Sequence, residues 1–133
     1  MEGSKLNRPL PKISIVAIVE DDDPLRDAFE SILRASGFSV DKFPSAEAFL
    51  ESLGRHRTNC LILDVRLPGM SGIELQRRLL EMNMAVPIVF VTAHADASVR
   101  ELVLKAGAAD FLTKPVRSET LLASIRAAVG RPR

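Results

Sequence analysis

Cysteine is nearly absent from the sequence, with Cys60 the single example, and neither tryptophan nor tyrosine occurs; six phenylalanines supply all the aromatic rings. One thiol excludes an internal disulfide and a thiolate zinc cluster, and it agrees with a reducing compartment. Cys60 lies in an apolar run, where a small buried hydrophobe is expected. Long hydrophobic runs are missing too. Ile15 to Val19 is among the longest and falls far short of the roughly 18 residues that span a bilayer. Met1 to Lys12 carries Lys5, Arg8 and Lys12 without a long apolar stretch of its own, so residues 1–12 are expected to form a flexible, proline-containing tail on a cytoplasmic protein. An excess of one charge is also lacking. Eighteen Lys and Arg stand against 17 Asp and Glu, and a net charge of +1 gives no field that argues for nucleic acid or an anionic membrane as the main partner.

What remains is a chain of 133 residues, 47% hydrophobic and 26% charged, the size and balance of one globular domain. Its pattern alternates. Ile13 to Val19 reads as a strand buried on both faces. Asp23 and Pro24 then suggest an N-cap and a first helical proline, followed by the stripe Leu25, Ala28, Phe29, Ile32 and Leu33, with Gly37 as the stop. Ser39 to Phe43 is a weaker strand, after which Ser45 caps a helix bearing Ala46, Phe49, Leu50 and Leu53. Cys60 to Leu63 is the third strand, and Pro68-Gly69-Met70-Ser71-Gly72 is a turn. Ser71 and Glu74 stand at capping-box spacing before Ile73, Leu75, Leu79 and Leu80. Val86 to Thr92 is the fourth strand. The fourth helix, near Asp96 to Ala106, points Val99, Leu102, Val103 and Ala106 inward and ends at Gly107. Asp110 to Leu112 is the fifth strand, and a last helix capped by Ser118 buries Leu121, Leu122, Ile125 and Val129.

Five strand-helix units in strict alternation imply an α/β fold: an open, doubly wound parallel sheet with helices on both faces. Five are too few for an eight-stranded barrel. No G-x-G-x-x-G loop follows the first strand and no G-x-x-x-x-G-K-[ST] loop occurs, so nucleotide-binding forms of the fold are disfavoured. In such a sheet all carboxyl ends share one edge, where ligands bind. The first strand delivers Glu20, Asp21 and Asp22 there, the third Asp64, the fourth Thr92 and the fifth Lys114. Each has an ordinary explanation by itself: a helix cap, a turn aspartate, a β-branched strand residue, a solvated lysine. Their convergence is harder to explain that way. Close carboxylates repel one another unless a cation sits among them, and Mg²⁺ suits a site of few protein oxygens. A carboxylate nucleophile, a metal cluster, a hydroxyl and an ammonium group on one edge can accept and hold a phosphoryl group.

Val19-Glu20-Asp21-Asp22, Leu63-Asp64-Val65-Arg66-Leu67-Pro68-Gly69-Met70-Ser71-Gly72, Val91-Thr92-Ala93 and Lys114-Pro115 resemble the receiver domain of two-component response regulators. The likeness runs from about Ile13 to Val129, and Ser45-Ala46-Glu47-Ala48-Phe49-Leu50 is similar to receivers of the nitrogen-fixation regulator type. The resemblance implies a flavodoxin-like sheet in the order 2-1-3-4-5, a receiver domain at 13–129 and, at 130–133, a tail or the start of a linker. It implies phosphoryl transfer from a sensor histidine kinase or phosphotransfer protein to Asp64. Mg²⁺ would be held by Glu20, Asp21, Asp64 and the backbone carbonyl of Arg66, with Asp21 the more direct ligand of the acidic pair. Glu20 stands where many relatives have Asp. Thr92 and Lys114 would sense the phosphoryl group, Phe111 would report the change, and the Lys114-Pro115 bond would be cis.

The resemblance further implies a non-enzymatic switch, capable at most of slow self-dephosphorylation. Its fourth helix, fifth strand and fifth helix would form a partner face or a phosphorylation-dependent homodimer, with no nucleic-acid or membrane contact by this domain. Two alternatives remain at this point. A Mg²⁺-dependent phosphohydrolase of the haloacid-dehalogenase type shares the Asp nucleophile and Lys, but it carries an acid two residues after the nucleophile, where this chain has Arg66, and no capping insertion is evident. A receiver-like interaction module that is never phosphorylated would have little use for the full acceptor set.

Overall fold

The computed structural model describes residues 13–53 and 57–130. The expected tail at 1–12 and the residues after Gly130 lie outside that range.

Five strands, β1 (Ile15–Val19), β2 (Ser39–Phe43), β3 (Cys60–Leu63), β4 (Ile88–Thr92) and β5 (Asp110–Thr113), alternate with five helices. These are α1 (Asp23–Ala35), α2 (Ala46–Glu51), α3 (Gly72–Glu81), α4 (Ala97–Lys105) and α5 (Ser118–Val129). All pairings are parallel and the sheet order is β2-β1-β3-β4-β5, as expected. β3 and β4 are buried along their whole length, which explains why they read as unbroken apolar runs. The edge strand β2 is less covered, with Val40 its one buried residue and Lys42, two residues on along the same face, exposed.

Two cores flank the sheet. Ala17, Val19, Leu61, Leu63 and Phe90 face Phe49 of α2, Leu75 and Leu79 of α3 and Val103 of α4. On the other side Val16, Ile18, Ile62, Val89 and Val91 meet Phe29 and Leu33 of α1 and Leu121 and Ile125 of α5. Burying a large aliphatic side chain contributes about 1.5–3 kcal/mol, so these two layers carry most of the stability. Cys60 is buried, as expected.

Several expected details differ. α1 is capped by Asp22, whose side chain accepts from Leu25 N–H at 3.0 Å, so Asp23 and Pro24 fall in the first turn. α5 begins after Arg117 with no side-chain cap, so Ser118 is its first residue and does not cap it. Ser45 and Ser71 cap α2 and α3 as expected. β1 and β4 start two residues later than the apolar runs suggest, and β5 continues to Thr113. Ala28 and Leu102 were expected on the apolar stripes but are exposed, Leu102 at 53%. α4 packs against β5 at the sheet edge, where Val99 and Val103 suffice to cover the core; the helical stripe is narrower there than one facing the sheet centre. No helix among the described residues is long and apolar enough to cross a membrane.

Candidate functional site

The carboxyl ends of β1, β3, β4 and β5 bring the expected residues to one edge. Glu20 follows β1, Asp64 follows β3, Thr92 ends β4 and Lys114 follows β5. Pairing fixes their relative heights: Val19 is level with Leu63, and Thr92 with Thr113. A carboxylate oxygen from each of Glu20, Asp21 and Asp64 lies within 4.8 Å of the other two. Glu20 is 2% and Asp64 7% exposed, while Asp21 lies on the solvent side.

Such a cluster is costly unless compensated, and Lys114 supplies the compensation. Its Nζ donates to Asp64 Oδ2 at 2.6 Å and to Glu20 Oε1 at 2.8 Å. Burial pushes the Glu20 carboxyl above the ordinary carboxylate range, and the Lys114 and Asp22 hydrogen bonds offset this only in part. Burial alone would depress the Lys114 ammonium, but hydrogen bonds to Asp64 and Glu20 outweigh it and hold its pKa above the usual lysine value. Lys114 is therefore cationic throughout the physiological range.

Local backbone contacts orient the acids. Asp22 N–H donates to Glu20 Oε2 at 3.1 Å, and Arg26 Nη1 donates to the Glu20 carbonyl at 2.8 Å while its other nitrogen pairs with Asp23. Arg66 N–H donates to Asp64 Oδ1 at 3.2 Å, bringing the Arg66 peptide alongside the cluster. A Cβ on Gly72 would stand 2.0 Å from the Asp64 carbonyl oxygen, so only glycine lets α3 start so close to the end of β3. Thr92 is fully buried; its Oγ1 accepts from His94 N–H at 3.2 Å, and its carbonyl accepts from Lys114 N–H at 2.9 Å. Phe111 is buried, its ring centroid 6.5 Å from that of Phe90. The Lys114-Pro115 peptide is cis, as expected. Ala93 and His94 are exposed beside Thr92.

The description "Response regulator receiver domain" is that of the family model matching residues 16–126. This chain belongs to the response regulator receiver family. As a receiver it is a phosphoacceptor domain of two-component signalling, and receivers generally act as signalling switches. Among its relatives, response regulator protein TodT of Pseudomonas putida is 45% identical over 118 residues, which are 89% of this chain and 52% of TodT. Transcriptional regulatory protein FixJ of Azorhizobium caulinodans is 35% identical over 122 residues, 92% of this chain and 58% of FixJ. The crystal structure of FixJ-N superposes with a TM-score of 0.84 at 34% identity, covering 92% of this chain and 98% of that one. Similarity to the FixJ-like subgroup is thus present in both sequence and structure. The receiver spans about half the length of the curated relatives it matches.

Sequence reasoning gathered the central residues of this edge but missed their supports. Arg26 holds the Glu20 backbone and Glu47 reaches the β3–α3 loop, while toward the opposite edge the buried Gln76 donates from α3 to the Val103 carbonyl of α4 at 3.0 Å. Glutamine on an otherwise apolar helical stripe was the available signal for Gln76. Arg26 and Glu47 look like ordinary helix-surface charges until the loops are in place.

Proposed function

We propose that Asp64 is the phosphoacceptor of this receiver and that Glu20, Asp21, Asp64 and the backbone carbonyl of Arg66 hold Mg²⁺ beside it. The donor set is made entirely of hard oxygens, three of them carboxylate oxygens within 4.8 Å of one another, which suits that ion. When bound, Mg²⁺ would neutralise charge on the phosphoryl oxygens in transit. The rest of the work falls to side chains of the chain itself. An Asp64 carboxylate oxygen attacks phosphorus as the bond to the donor histidine nitrogen breaks; a P–O bond replaces a P–N bond, and the nitrogen keeps the electron pair. The phosphoryl group then adds roughly −1.5 to −2 charge where Lys114 already provides a cation.

Thr92 would turn its hydroxyl toward the phosphoryl oxygens, leaving the His94 N–H it now accepts from, and buried Phe111 would repack in response. Only contacts that differ between the two states shift the equilibrium, and these two side chains supply them. α4, β5 and α5 then form the surface read by a partner or by a second copy of the domain, and a sensor histidine kinase or phosphotransfer protein is the donor. The receiver occupies residues 13–129 of a cytoplasmic protein, and its chemistry is a switch with slow self-dephosphorylation at most.

The observation carrying this reading is the Lys114 ammonium bonded at once to Asp64 and Glu20 within the acidic cluster. The test is labelling by a small-molecule phosphodonor with and without Mg²⁺. Wild type is expected to take up one phosphoryl group only with Mg²⁺, and Asp64→Asn none; equal labelling of the two removes Asp64 from this role.

A further inference from the structure

The β3–α3 loop, residues 64–71, carries the Arg66 carbonyl that the proposed Mg²⁺ shell uses, and its two ends are pinned. Arg66 N–H bonds Asp64 Oδ1 at 3.2 Å, and Gly72 N–H bonds the Val65 carbonyl at 2.9 Å. Its middle is held differently. Pro68 has no N–H to give, Gly69 turns the chain at φ +76°, and Met70 N–H donates at 2.9 Å to Glu47 Oε2, on the first turn of α2. Among the described residues this is the hydrogen bond tying Leu67–Met70 to the rest of the fold.

The fit is close. A Cβ on Gly69 would lie 2.4 Å from Glu47 Oε2 and 3.3 Å from Glu47 Cδ, so the carboxylate occupies the space a side chain at position 69 would need. A carboxylate accepting a backbone N–H makes a stronger hydrogen bond than a neutral acceptor does. The Met70 N–H and its own N–H both favour ionised Glu47, whose carboxyl is held below the usual range, so the contact is charged at neutral pH. Leu67 and Met70, partly buried, pack against the core to which Phe49 of α2 belongs.

We propose that Glu47 is a positioning residue for the metal site: by clamping Met70 it fixes the loop that presents the Arg66 carbonyl, and so strengthens Mg²⁺ binding without touching the ion. This rests on the Mg²⁺ reading given above. Partners hydrogen-bonded to a metal ligand commonly change affinity about tenfold or more when removed; Glu47, bonded to Met70 and not to a ligand, acts one step further out.

The experiment is calorimetric Mg²⁺ titration of wild type, Glu47→Ala, Glu47→Gln and Gly69→Ala, with amide exchange at Met70 followed in the metal-free protein. Glu47→Ala is expected to weaken Mg²⁺ binding measurably, by less than about tenfold, and to speed Met70 exchange, while its phosphodonor labelling at saturating Mg²⁺ returns to the wild-type rate. Glu47→Gln, which keeps an acceptor oxygen, should recover most of the affinity. Gly69→Ala, which evicts the carboxylate and also strains the turn at φ +76°, should lose at least as much affinity as Glu47→Ala. Unchanged Mg²⁺ affinity in Glu47→Ala or, failing that variant, in Gly69→Ala overturns the role of Glu47 and leaves the acceptor assignment standing. Absence of Mg²⁺ binding by wild type overturns both.

Discussion

At the scale of single residues, the edge of the sheet is a problem of charge. Glu20 is nearly inaccessible, and its carboxyl is raised chiefly by burial. A carboxyl whose folded pKa exceeds its unfolded value costs stability as pH rises from the unfolded value through the folded one, and the full cost persists above both. Glu20→Gln removes that cost and retains an oxygen for Lys114. In EDTA at pH 7 it is therefore expected to stabilise the protein and to flatten the rise in stability expected on acidifying wild type toward the Glu20 titration. Thermal melts across that pH range check this; an unchanged or lower midpoint for the variant would show that burial of Glu20 carries no such cost. Glu20, Asp21, Asp64, Thr92 and Lys114 were all legible in the sequence, because a parallel sheet fixes which end of each strand faces the site. The bidentate reach of Lys114 to Glu20 as well as Asp64 was not, since a four-carbon side chain can point to solvent equally well until burial decides.

At the scale of elements, alternation and strand order were legible, and the ends were less so. β2 and β3 begin and end where composition places them, because a turn residue or a charge marks each boundary. Caps depend on backbone angles that composition leaves open. Asp22 and Asp23 are chemically equal candidates, and so were Ser71 and Ser118, yet only Ser71 accepts from the N–H three residues on, at 3.1 Å. Ser71→Ala is accordingly expected to cost about 1 kcal/mol, and Ser118→Ala to stay within about 0.5 kcal/mol of wild type. Urea unfolding of both variants checks the pair; a reversed order would mean the caps are wrongly assigned. The inward reading of Leu102 failed for a related reason. Periodicity gives the direction of an apolar stripe, whereas its width depends on how much of the sheet the helix covers.

At the scale of the whole molecule, two apolar layers hold five strands so that one edge collects an acidic cluster, a hydroxyl and a cation. The receiver covers only about half the length of its curated relatives. Thr92 ends β4, Phe111 lies on β5 and Lys114 stands in the turn after it, and β5 is also part of the partner face proposed above. The central claim is chemical, and the most direct measurement locates the bond. Phosphodonor-treated protein is reduced with borohydride, which converts an aspartyl phosphate to homoserine, and the peptides are mapped by mass spectrometry. The account predicts homoserine at position 64, formed only when Mg²⁺ was present during labelling; homoserine at another aspartate, or label that survives in Asp64→Asn, would contradict it.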